Sequence, residues 1–90
     1  MNEGAQFLAR ELRHLIRSPI GSKTELAAWY IESMRIQKAL QEQFSHLEFP
    51  EDIWHFLSDA DVRAKDAGYR KRQEQIVNDF IASLENESAP

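Results

Sequence analysis

Cysteine is absent from the 90 residues, which excludes disulfides and thiolate metal sites. That absence suits a reducing compartment. Glycine and proline occur three times each, too few for the turns of a many-stranded fold, so a few long helices are predicted. No run of about 18 apolar residues is present, and no segment is expected to span a membrane. Met1-Asn2-Glu3-Gly4 has neither the basic nor the apolar region of a secretory leader. The cytoplasm is the expected location. Positive charge is also scarce: 11 Lys and Arg against 15 Asp and Glu give a net charge of −4, which removes any general attraction to nucleic acid.

What is present is apolar surface. Hydrophobic residues make up 42% of the chain, with five Phe, two Trp and two Tyr, enough for a core and too much for a disordered chain. The fold class predicted is all-α: a single-domain, compact bundle of three long helices plus one short helix at about 50–57. Residues 1–84 form the bundle and residues 85–90 a polar tail without order.

The first helix is expected from Glu3 to Arg17. Ala5, Leu8, Leu12, Leu15 and Ile16 fall on one face, and Arg10, Arg13, His14 and Arg17 on the other. Ser18-Pro19-Ile20-Gly21 stops it. Ser22-Lys23-Thr24-Glu25 fits a capping box opening a second helix that runs to about Ser45. Its main stripe is Leu26, Trp29, Ser33, Ile36, Leu40 and Phe44. A second apolar group, Ala27, Tyr30, Ile31 and Met34, lies well away from that stripe. Such a helix is either central in a bundle or covered by a second chain.

Phe49-Pro50-Glu51-Asp52-Ile53-Trp54-His55-Phe56-Leu57 is the densest apolar segment. Proline at a helix start and acids in the first turn predict a short helix from Pro50 to Leu57. Ser58-Asp59-Ala60-Asp61 is the next N-cap, and the last helix is expected to reach about Leu84. Val62, Tyr69, Ile76, Val77, Phe80, Ile81 and Leu84 then face inward. The stripe keeps its phase past Gly68, so one continuous helix with a weak point there is favoured. The alternative breaks it between Lys65 and Tyr69, with Asp66 as a new N-cap.

No catalytic motif emerges: no nucleophile beside a base, no glycine-rich phosphate cradle, no paired inward carboxylates. No cofactor is expected. Asp52 and His55, at i and i+3, echo one half of a carboxylate–histidine metal site, with His46 and Glu48 nearby in sequence, but the second half is missing. A third and weaker option, a small all-helical enzyme, would place its site near Asp66, Gln73 and Ser33, polar residues falling within inner stripes.

The functional expectation is a small regulatory or accessory domain without catalysis, binding another protein or a second copy of itself. Tyr30, Ile31, Met34, Trp54 and Phe56 are the candidate apolar contacts, with Phe7 also away from its stripe. Arg10, Arg13 and Arg17 are the candidate steering charges for an acidic partner. The alternative is a nucleic-acid-binding regulator using Arg10, Arg13, Arg17, Arg70, Lys71 and Arg72, with Arg63 and Lys65 just upstream of the last cluster. The net charge and the missing helix-turn-helix turn after Trp29 weigh against it.

Overall fold

The computed structural model describes residues 3–45 and 47–88. Within them the chain is all-helical: α1 (Glu3–Arg17), α2 (Lys23–Gln43), α3 (Glu51–Ser58), α4 (Ala60–Lys65) and α5 (Ala67–Ser88). α1 lies along α5 and against α2, while α3 and α4 pack on both α2 and α5. Among the described residues no helix is long and apolar enough to cross a membrane.

α1 buries the predicted face, Ala5, Leu8, Leu12 and Leu15. It ends where Ser18 Oγ donates to the His14 carbonyl at 2.8 Å, just ahead of Pro19. Antiparallel to it, α2 opens with Ser22 Oγ accepting the Glu25 amide at 3.1 Å. Only half of the capping box forms. The Glu25 carboxylate accepts from the Gly21 amide at 3.2 Å, one residue before the cap. Trp29, Ser33, Ile36 and Leu40 are buried as expected.

The second apolar group of α2 is not enclosed. Ile31 and Met34 are 62% and 60% exposed, because both lie across the helix from the Trp29–Ile36 face.

α3 starts one residue later than expected, with Pro50 at the cap (φ −61°, ψ 149°) and its carbonyl accepting the Ile53 amide at 3.0 Å. Eight residues are too few for a stable isolated helix, so its formation depends on burying Ile53, Phe56 and Leu57.

The last helix is not continuous, which corrects the favoured expectation. Asp66 is extended (φ −132°, ψ 102°) and separates α4 from α5. Its carboxylate accepts the Tyr69 amide at 3.0 Å and its carbonyl accepts the Arg70 amide, the pattern of an N-cap. The break resets the helical phase. Arg63 turns inward, and Val62 and Ile76, expected inside, are exposed; Val77, Ile81 and Leu84 fill the core. α5 also outlasts the expected end at Leu84. It continues through the supposed tail to Ser88, with Glu85 pairing with Arg13 of α1. Ala89 and Pro90 lie outside the described residues.

If Asp66 is an N-cap, Asp66→Ala lowers stability by about 1 kcal/mol, a drop in Tm of about 4–8 °C by circular dichroism, and Asp66→Asn keeps most of it. In a continuous helix alanine would instead raise Tm.

Candidate functional site around the third helix

The site is built outward from Arg63, which is only 3% exposed. Its guanidinium carbon lies 4.2 Å from the Phe56 ring centre and 4.8 Å from that of Trp29. Nη1 donates to the Phe56 carbonyl and to Gln73 Oε1, both at 2.7 Å. Gln73 Nε2 in turn donates to the Tyr69 hydroxyl at 2.8 Å, and that hydroxyl donates to Asp59 Oδ2 at 2.7 Å. None of the described ion pairs involves Arg63. Burial pushes its pKa down to about 10, while Tyr30, Asp59 and Glu74 act in the opposite direction. At neutral pH it remains a cation.

Three side chains of α2 secure the helix ends around it. Trp29 Nε1 donates to the Leu15 carbonyl at 3.0 Å, and Ser33 Oγ donates to the Leu57 carbonyl at 2.9 Å. The Tyr30 hydroxyl accepts the Asp61 amide at 3.1 Å, with Asp61 Oδ1 at 2.9 Å and the Ser58 carbonyl at 3.0 Å as acceptors for its proton. It performs the capping that neither Asp59 nor Ser58 supplies.

This framework leaves a groove on each side of α3. The one toward α5 encloses about 290 Å³ and is lined by Asp52, His55, Tyr69, Arg72, Gln73 and Ile76. The one toward the end of α2 encloses about 210 Å³ and is apolar: Leu40, Phe44, Leu47, Phe49 and Trp54, with Gln41 and Ser45 at its rim. The Phe49 and Trp54 rings meet at 5.0 Å in a tilted contact, and Phe44 meets Phe7 of α1 at 5.1 Å. Residues 41–54 carry Glu42, Glu48, Glu51 and Asp52, all exposed, and neither Lys nor Arg.

Several residues singled out in the sequence stand elsewhere than expected. Phe56 is buried against Trp29 and Arg63 and cannot touch a partner. Tyr30 is half-buried and fixed through its hydroxyl. Ile31 and Met34 are exposed, and Trp54 is 36% exposed beside the apolar groove. Phe7 is spent on Phe44.

Of the basic residues, Arg13 pairs with Glu85, and Arg70 with Glu74 at 3.0 Å. Arg10 rests over Phe7 at 5.8 Å and Arg72 over Tyr69 at 6.0 Å. His14, Arg17 and Lys71 are exposed. Arg63, counted in the sequence with the Arg70-Lys71-Arg72 cluster, is out of reach of any nucleic acid.

Of the polar trio, Asp66 caps α5 in the open, Ser33 closes α3, and Gln73 alone lines a groove. Among the described residues no three His, Asp or Glu are grouped as a metal ion requires; His46 lies outside them. Sequence inspection missed Leu47 and Phe49 as lining residues. Their crowding with Phe44 and Trp54 within eleven residues was the available signal.

The Tyr30–Asp61 contact has a pH signature. The Tyr30 hydroxyl, and secondarily the nearby backbone amides, holds the Asp61 carboxyl below its usual value near 3.8. That contribution to stability is therefore present above about pH 4 and is lost as pH falls below it. Tyr30→Phe is expected to lose about 1–2 kcal/mol at pH 7, and the gap to the parent should narrow in urea titrations at pH 3.

Scans against protein-family models, curated proteins and solved structures found no match to this chain.

Proposed function

We propose that this protein is a protein–protein interaction module, without catalysis of its own, that receives a basic amphipathic helix of a partner in the slot beside Trp54. The observation that carries this is the slot itself: an apolar, aromatic-walled cavity of about 210 Å³ with Trp54 half-exposed at its edge. A solvated aromatic next to an unfilled apolar cavity is the arrangement of an interface anchor.

The slot also has a direction. Met34, Lys38 and Gln41 share one side of α2 with Ile31. The apolar strip of Ile31 and Met34 therefore leads toward the slot, about two helical turns away. A helix laid along α2 could seat one large side chain in the slot and place others, at i+7 spacing, on Met34 and Ile31. Charge selects the partner. Glu42, Glu48 and Glu51 flank the slot residues in sequence, against one exposed cation, Lys38, on the α2 face that leads to it. The steering charge is thus acidic, in place of the Arg10, Arg13 and Arg17 face suggested by the sequence.

The test uses labelled peptides of about 14 residues with leucines at i, i+3 and i+7, one with lysines on the polar face and one with glutamates. The lysine peptide should bind with an affinity that falls with added salt, and Trp54→Ala should weaken it at least tenfold, as loss of an anchor does. Trp54→Ala also removes the Phe49 contact, and its circular dichroism should show that it remains folded with some loss of Tm. Equal binding of both peptides, or no effect of Trp54→Ala, would overturn the proposal.

A further inference from the structure

The second groove, between α3 and α5, has a different chemistry from the apolar slot and stands independently of it. Its α5 wall is made of donors. Gln73 is only 7% exposed; its Oε1 is taken by Arg63 and one Nε2 hydrogen by Tyr69, which leaves a second amide hydrogen without a partner among the described residues. Arg72, exposed and free of any described ion pair, lies over the Tyr69 ring at 6.0 Å on the same wall. Behind Gln73 is the Arg63 cation, which makes no described ion pair and is acted on by Asp59 and Glu74 only through space. An anion in front of Gln73 and Arg72 would be attracted chiefly by the Arg72 guanidinium, with Arg63 adding to it from behind. The α3 wall is opposite in kind: Asp52 offers a carboxylate, beside His55. Ile76, 42% exposed, supplies an apolar patch.

We propose that this groove is a binding site for a small zwitterion of the amino-acid type. Its carboxylate meets Arg72 and the free Gln73 amide hydrogen, its ammonium meets Asp52, and its apolar side chain lies on Ile76. Two walls of opposite character, one donor-rich and one acidic, leave one wall unsatisfied by a ligand carrying a single charge, which therefore binds more weakly. A volume of about 290 Å³ is large enough to admit a ligand of that size. Arg72 and Asp52 carry most of the affinity, since a charge-assisted hydrogen bond is about twice as strong as the neutral one from Gln73.

The experiment is an NMR titration of the full chain that follows the Gln73 side-chain amide and the Arg72 Nε–H. Three matched probes are used: L-leucine, 4-methylpentanoate, which lacks the ammonium, and 3-methylbutylamine, which lacks the carboxylate. Leucine should produce saturable shifts at both groups, the carboxylate weaker ones, and the amine none. Arg72→Leu, an exposed substitution that should not disturb folding, should weaken leucine about tenfold. Asp52→Asn should reduce leucine to the affinity of 4-methylpentanoate. Non-saturating shifts with all three probes would overturn the proposal. So would equal shifts from leucine and the amine, or leucine binding unchanged by Arg72→Leu.

Discussion

A planar cation packed against two touching aromatic rings is the constraint on which the rest of this small fold depends. Desolvating a guanidinium costs several kcal/mol even after relaxation. Against that stand two charge-assisted hydrogen bonds of about 1.5–3 kcal/mol each and two ring contacts of about 0.5–2 kcal/mol each. The two sides are of the same order, so Arg63 is tolerated where it is only because all four contacts are made together. Making them fixes α4, which carries Arg63, against α2 through Trp29, against α3 through the Phe56 ring and carbonyl, and against α5 through Gln73. Lysine has neither the plane nor the fork to do this.

That junction also determines what α3 can present. The helix is short and amphipathic, held from below by Ile53, Phe56 and Leu57. Its outward residues are consequently displayed on a rigid base: Trp54 toward the end of α2, Asp52 and His55 toward α5. The two grooves are consequences of one arrangement, since a short helix cannot cover the full length of the longer helices beside it. Their chemistries diverge with the neighbouring sequence. The α2 side borrows Phe44, Leu47 and Phe49, and the α5 side borrows Tyr69, Arg72 and Gln73.

Much of the architecture is legible in the residues. The Leu8, Leu12, Leu15 spacing places α1, the Ser22 hydroxyl places the start of α2, and Pro50-Glu51-Asp52 opens α3. Hydrophobic periodicity fails at the α4–α5 corner for an identifiable reason. Val62, Tyr69 and Ile76 recur at seven-residue spacing and so simulate one unbroken stripe, while the decisive signal is the capping side chain of Asp66. With the break in place, Arg63 takes the inward position. No pattern rule would put it there, because arginine is almost never fully buried unless paired, and its partners here are two rings, a carbonyl and an amide oxygen brought together from α2, α3 and α5. Helical phase separates Trp54 from Phe56. Both are aromatic residues of one short helix, yet Phe56 shares the Ile53–Leu57 face and completes the core, while Trp54 lies off that face and borders a cavity formed with the end of α2.

The most direct test of Arg63 as the junction is equilibrium unfolding of Arg63→Lys, which keeps the charge and nearly the length but loses the planar fork. The predicted result is a loss of at least about 2 kcal/mol, in the range of a broken buried hydrogen-bond network, with hydrogen exchange at the α3 and α4 amides accelerating more than in α1. A variant within about 0.5 kcal/mol of the parent, the range of an ordinary surface substitution, would contradict it.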